Sequence, residues 1–210
     1  MTPKLYYAPG TCALAPHICF EEAGAVVDFV RVDLAGGEHH GPEYLKLNPN
    51  ARVPVLETDK GTLTEAAAIM GWIARTWPDA HLAPSGDAWA EAQVQSFNSF
   101  LTSSVHASSF GAIFRPGRFS DDPALHPAIK AKGLATLKGQ FAQIEDRLQP
   151  GAWVHGAYST SDPYLLVMAR WYVRLHEDLG AFPRIAAHAE RMLERPAVKA
   201  AFEVEGIVFG

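Results

Sequence analysis

The sequence predicts a two-part protein, an α/β domain of pattern βαβ-ββα followed by an all-helical bundle. Three observations predict it. Short Leu-, Val- and Tyr-rich runs alternate with helical patterns up to about residue 78. Residues 79–87 (Asp-Ala-His-Leu-Ala-Pro-Ser-Gly-Asp) have the composition of a linker, and every later apolar pattern is helical. The expected units are therefore residues 1–78, a linker over 79–87, and a helical domain over 88–210.

The elements follow in order. Lys4–Tyr7 reads as a short strand. A helix is expected from about Ala15 to Ala23, with Pro16 in its first turn and Gly24 past its end. Val27–Asp33 alternates like a strand, and a helical turn is expected near Pro42–Leu47 after a polar loop. Val53–Glu57 and Thr62–Leu63 flank Thr58-Asp59-Lys60-Gly61, which reads as a hairpin turn. A helix then runs from about Glu65 to Thr76 and stops at Trp77-Pro78. The first two strands should be parallel through a right-handed crossover, the last pair antiparallel. Beyond the linker, helices fit Ala88–Phe114, Pro127–Leu148, Asp162–Glu177, Pro183–Glu194 and Ala197–Val204. The Asp162–Glu177 segment is apolar almost all round, which places it at the centre of a bundle. Ser159-Thr160-Ser161-Asp162 before it fits a capping box, giving Asp162 a structural role.

Composition narrows the function classes. Residues 1–83 carry 6 basic against 10 acidic side chains and the remainder 12 against 13, so neither half offers a basic face for nucleic acid. No apolar run approaches the roughly 18–20 residues of a membrane span, and no signal-peptide pattern is visible. Two cysteines seven positions apart make neither a disulfide framework, a redox Cys-x-x-Cys pair nor zinc spacing. The expectation is a cytoplasmic protein without a metal site; His39-His40 has no suitably spaced partner and reads as solvated loop.

Three segments carry the chemistry. Cys12 follows the turn Pro9-Gly10 and precedes a helix, where the helix dipole and free N–H groups favour a thiolate. The second segment is Asn48-Pro49-Asn50-Ala51-Arg52-Val53-Pro54-Val55-Leu56, and the third Leu63-Thr64-Glu65-Ala66. Cys12 alone could be a small buried hydrophobe, but its position argues for a functional thiol. Cys19, inside the helix, reads as core.

These segments, with His106, the run Phe114-Arg115-Pro116 and Ser159–Trp171, match cytosolic glutathione transferases in order across essentially the whole chain. The N-terminal string resembles the bacterial beta class most. The resemblance implies a thioredoxin-like first domain, glutathione as co-substrate, no metal, small hydrophobic electrophiles as substrates, detoxification as the role, and a homodimer. Carried over by residue, Cys12 and His106 are the catalytic pair meeting the glutathione sulfur. Val53-Pro54 resembles the Val-cis-Pro whose backbone pairs with the cysteinyl unit. Glu65-Ala66 resembles the pair receiving the γ-glutamyl end. Tyr7, Leu34, Arg52 and Ser99 complete the expected glutathione site, while Ser103 and Ser104 would reach the ligand of the other subunit. Phe110, Ile113, Phe114 and Phe119 are expected to wall an apolar electrophile cleft.

Three positions depart from the family pattern. Gly37 stands where the beta class has a lysine for the glycyl carboxylate, Ala13 where a serine often follows the cysteine, and Ser99 where an asparagine is usual, with Asn98 adjacent. A charged hydrogen bond contributes about 1.5–3 kcal/mol, so glutathione affinity falls unless Arg52, His39 or His40 compensates. Two further activities remain open from sequence: a thiol–disulfide oxidoreductase using Cys12, and a non-catalytic ligand-holding protein. A Cys–His hydrolase lacks a third group to orient the histidine. The Trp171-Tyr172 pair reads as bundle core.

Overall fold

A computed structural model describes residues 1–210. Strands β1 (Lys4–Tyr7), β2 (Asp28–Arg31), β3 (Val55–Thr58) and β4 (Gly61–Thr64) form one sheet of order β2-β1-β3-β4. β1 and β2 are parallel; the β1–β3 and β3–β4 pairs are antiparallel, as the connections require. Successive side chains of a strand point to opposite faces. Leu5 and Leu56 accordingly enter the large core, which includes Ile18 of α1 (Leu14–Glu22) and Ile69 of α3 (Ala66–Thr76). Tyr6 and Val55 face the other way, onto a small cluster with Val32 and with Tyr44 of α2 (Pro42–Leu47). The sheet is thus covered on both faces, and its β1–β3 register brings the start of α1 beside the loop before β3.

The segment joining the two parts is packed rather than free. Leu82 is buried, and its carbonyl accepts from the Thr160 N–H at 2.8 Å. Helix α4 (Ala88–Phe100) starts on Asp87, whose carboxylate accepts from the N–H groups of Trp89 and Ala90. Its continuation, Leu101–Phe110, widens into π-helix before α5 (Gly111–Phe114) closes the run. The sequence reading saw one uninterrupted helix here. The hydroxyls of Thr102 and Ser103 donate to the carbonyls of Asn98 and Ser99, four residues back. Such back-bonding competes with the regular helical ladder, and this segment carries His106.

Helices α6 (His126–Arg147), α7 (Ser161–Arg174), α8 (Pro183–Glu194) and α9 (Pro196–Glu205) complete the bundle. α7 lies at its centre: Leu165, Leu166, Val167, Met168 and Ala169 are all fully buried. Each large aliphatic side chain so buried stabilises by about 1.5–3 kcal/mol, and Leu166→Ala would cost roughly 2–5 kcal/mol. Half of the expected capping box forms: the Asp162 carboxylate accepts from the Ser159 N–H at 2.8 Å, while the Asp162 N–H goes to the Ser159 carbonyl instead of its hydroxyl. Ser159 Oγ accepts from the Ser161 N–H. Asp162 also takes the Val154 N–H and His188 Nε2, each at 2.9 Å, so a buried carboxylate is fully answered.

Candidate active site

A cleft of about 940 Å³ opens between the sheet domain and the helices. One wall is the loop between β1 and α1. Thr11 shapes the turn into α1: its Oγ accepts from the Ala13 N–H, and its carbonyl from the Leu14 N–H. This leaves Cys12 just outside the helix, half-buried, with its thiol aimed at the Val53 carbonyl at 3.7 Å. Gly10 is held from three places. Its N–H donates to Glu205 of α9 at 2.7 Å, and its carbonyl accepts from the Trp171 indole at 2.8 Å and from Arg170. With φ at +69° and an added Cβ only 2.8 Å from Arg170 Nη1, the position requires glycine. Glu205 also meets Nδ1 of the buried His17 at 3.0 Å, tying α9 to α1.

The second wall is the loop before β3. The hydroxyl of Tyr44 and the amide of Asn48 both donate to the Arg52 carbonyl at 2.8 Å. Val53-Pro54 is cis, as the resemblance implied. The Val53 N–H has no hydrogen-bond partner within the chain and stands in the cleft wall. Glu65 follows β4 with φ +70° and ψ 119°, a conformation that costs a non-glycine residue of order 1–3 kcal/mol. Its carboxylate has no ion-pair or hydrogen-bond partner, and no side chain caps the N–H groups that begin α3. An unanswered carboxylate beside unanswered N–H groups fits a ligand end carrying both ammonium and carboxylate.

The third wall is helical. His106 Nδ1 lies 3.4 Å from the Tyr164 hydroxyl, and its ring packs edge-on to Trp171 at 4.8 Å between centroids. Phe110 and Phe114 stack on one another and meet the Trp171 ring edge-on, making an aromatic floor. The charged groups of the cleft are Arg52, Arg115, Arg118, Arg170 and Arg174 against one carboxylate, Glu65.

This setting reverses the expected ionisation of the catalytic pair. Burial, then the Glu65 carboxylate, pushes the Cys12 thiol up to about 12; Arg115 and Arg52 oppose this without overcoming it. Burial, with Arg115, Arg118 and Arg52 adding repulsion, pushes His106 down to about 4. The expectation of a Cys12 thiolate favoured by the helix dipole is therefore corrected: near neutral pH Cys12 is held as a thiol and His106 as a neutral imidazole. The helix start is where the sequence placed it, but desolvation outweighs its dipole.

Of the expected residues, the cleft gathers Cys12, Leu34, Arg52, Val53, Pro54, Glu65, Ala66, His106, Phe110 and Phe114. Tyr7 is buried in the sheet against His17 and does not line it. Ser99 and Ser103 are exposed on the outer helical face, and Ser104 gives its carbonyl to Gln140; none of the three enters the cleft of its own chain. Ile113 turns instead toward Gly133 of α6. Phe119 is half-exposed beside Gly111 and outside the lining. Asn98 is buried and donates to Thr160, so it does not replace the polar contact expected near Ser99. His39 and His40 do line the cleft, with rings 3.9 Å apart, at the end where Gly37 leaves no cation. Of the arginines only Arg52 was expected; sequence reasoning read Trp171 as core and missed Tyr164, Arg115, Arg118, Arg170 and Arg174 as cleft residues. The only signal for Tyr164, Trp171, Arg170 and Arg174 was that their helix is the one at the centre of the bundle.

Residues 1–75 match the family described as "Glutathione S-transferase, N-terminal domain". Glutathione S-transferase GstA of Escherichia coli O157:H7 is 32% identical over 208 residues, covering 97% of this chain and 99% of that one. A glutathione transferase homolog from Sulfitobacter, solved with bound glutathione, superposes with a TM-score of 0.91 at 32% identity, covering 99% of each chain. The bacterial beta class glutathione S-transferase of Sphingomonas chungbukensis superposes with a TM-score of 0.86 at 37% identity, covering 98% of this chain and all of that one.

Proposed function

The chain belongs to the glutathione S-transferase family, and from that premise we propose that it conjugates the thiol of glutathione to small electrophiles. The observation that carries this reading is the cleft wall itself. The unpaired Val53 N–H and the unpaired Glu65 carboxylate at the start of α3 line the same cleft as Cys12. Val53 would pair with the cysteinyl backbone of glutathione as an added strand. Glu65 would take its ammonium and the first N–H groups of α3 its γ-glutamyl carboxylate. Arg52, with His39 and His40 near it, supplies the cation for the glycyl end.

Conjugation needs the glutathione sulfur as an anion, whereas a free thiol near pH 7 is mostly protonated. The neutral His106 imidazole can donate its ring N–H to that anion, which favours loss of the thiol proton to solvent. The Cys12 thiol, kept protonated by its surroundings, can donate a hydrogen bond to the resulting thiolate, and Arg115 and Arg52 favour negative charge at this point. The sulfur–carbon bond then forms as the leaving group departs with its electron pair. The high thiol pKa of Cys12 disfavours the alternative in which Cys12 itself attacks a disulfide, because the thiolate is the nucleophile.

The test is turnover of 1-chloro-2,4-dinitrobenzene with glutathione by the purified protein, followed at the conjugate's absorbance. Absence of glutathione-dependent rate above the uncatalysed reaction refutes the reading. A glutathione-mass adduct on Cys12 in protein purified without reductant supports the disulfide reading instead. We place the protein in the beta class, in the cytoplasm and in detoxification. We also expect a homodimer, with Ser103 and Ser104 on the exposed helical face turned to the partner. Light scattering that gives twice the 22.8 kDa chain mass supports the dimer, and the monomer mass refutes it.

A further inference from the structure

The sequence suggests an apolar electrophile cleft, but the structure builds something else. Two of the expected apolar walls, Ile113 and Phe119, leave the cleft. What remains is an aromatic floor of Phe110, Phe114 and Trp171 in a cleft that guanidinium groups also line. The whole chain carries a formal charge of −5, yet its cleft holds five arginines and a single carboxylate.

Those arginines differ in how they are answered. Arg170 donates to the Val208 and Gly10 carbonyls and is part of the scaffold. Elsewhere in the bundle Arg184 and Arg195 meet Glu145 and Glu22, and Arg191 meets the Ala152 carbonyl. Arg115 and Arg118, like Arg52 and Arg174, have no carboxylate or carbonyl partner for their side chains, and both are solvent-exposed. Their charges act on one another and on His106, so they stand close around the reacting end of the cleft. Holding like charges together without a counter-ion costs free energy that an anionic ligand returns.

The carboxylates of glutathione do not supply that counter-ion. On the proposed reading they go to the start of α3 and to Arg52, and only the sulfur comes near Arg115, which leaves Arg115 and Arg118 free for a carboxylate or sulfonate on the electrophile. We infer that this half of the cleft takes an aromatic electrophile bearing its own anionic group, a carboxylate or sulfonate, with the ring on Trp171 and Phe114 and the anion on Arg115 and Arg118. A guanidinium fork matches a carboxylate by two parallel hydrogen bonds. This inference rests on the transferase reading of the same cleft.

The test compares 4-chloro-3,5-dinitrobenzoate with 4-chloro-3,5-dinitrobenzamide, which share ring and leaving group but differ in charge. Each kcat/KM with glutathione is divided by the uncatalysed rate constant. The benzoate should be preferred by about tenfold or more at low salt, the scale of one charged hydrogen bond. The preference should shrink as ionic strength rises from about 0.01 M to 1 M. Arg115→Gln and Arg118→Gln should each lower the benzoate-to-amide ratio by about threefold or more. Equal normalised rates for the two substrates overturn the inference. So does an equal loss on both substrates in the variants, which would assign the arginines to activating the glutathione sulfur. If neither compound is turned over, the transferase reading fails on its own, and binding decides the inference. Quenching of tryptophan fluorescence by 4-nitrobenzoate but not 4-nitrobenzamide, with S-methylglutathione present, sustains it; equal quenching sinks it.

Discussion

The Tyr164 hydroxyl lies 3.4 Å from His106 Nδ1, and both groups are buried deeply enough to stay uncharged at neutral pH. Burial, the nearby Cys12 and Glu65 raise the Tyr164 pKa, so the phenol keeps its proton and can donate it to Nδ1. That leaves the proton of the neutral ring on Nε2. Tyr164→Phe should lower kcat for conjugation about three- to tenfold, by loosening the imidazole, and leave KM for glutathione within about twofold. A matching rise in glutathione KM would mean that Tyr164 serves binding instead.

The depressed His106 pKa also sets a pH dependence of stability. The unfolded imidazole titrates near 6.5 and the folded one at about 4. Between those values the unfolded chain binds more protons, so stability rises with pH across this window and is lost as pH falls from 6.5 toward 4. His106 contributes up to about 3 kcal/mol to this loss. Urea unfolding of the wild type and His106→Asn at pH 7 and pH 4.5 measures it. The difference between the two pH values should be smaller in the variant, and equal differences would show that His106 is already accessible to protons.

Cys12 should react slowly with alkylating reagents. A thiol pushed up to about 12 is almost wholly protonated at pH 7.5, so iodoacetamide should modify it more slowly than it modifies free glutathione. Cys12→Ala should keep part of the conjugating activity, because His106, Arg115 and the start of α1 remain. Faster labelling of Cys12 than of glutathione, read by mass spectrometry, would restore the thiolate and with it the disulfide chemistry.

Glu65 separates binding from stability. Glu65→Ala removes the carboxylate expected to meet the ligand ammonium, and calorimetry should show glutathione affinity falling about tenfold or more. Glu65→Gly should weaken binding similarly, yet melt at a higher temperature than Glu65→Ala, because glycine tolerates φ +70° without a Cβ. Unchanged affinity in both variants would take Glu65 out of the site.

Much of this was legible in the sequence. The bounds of β1, α2 and α8 coincide with the periodic runs Lys4–Tyr7, Pro42–Leu47 and Pro183–Glu194. Cys12, Val53-Pro54 and Glu65 sit in short segments whose turn chemistry is local, and the structure brings them to one cleft. The ionisation of Cys12 and His106 was not legible, because it depends on burial by residues distant in the chain. The arginines were hidden for a related reason. Arg115 and Arg118 read as a helix break, and nothing local shows that the break folds over Trp171, more than fifty positions later. The back-bonding hydroxyls of Thr102 and Ser103 were visible as residues, but which carbonyl they would choose was not.

The contact between Gly10 and Glu205 spans 195 positions of chain. During synthesis at about 5–20 residues per second, roughly 10–40 s pass between the two entering the polypeptide. For that interval the newly made sheet domain has its Gly10 N–H and the inner edge of His17 without the carboxylate that answers both. The bend that carries Cys12 is therefore among the earliest segments translated and among the last to be locked.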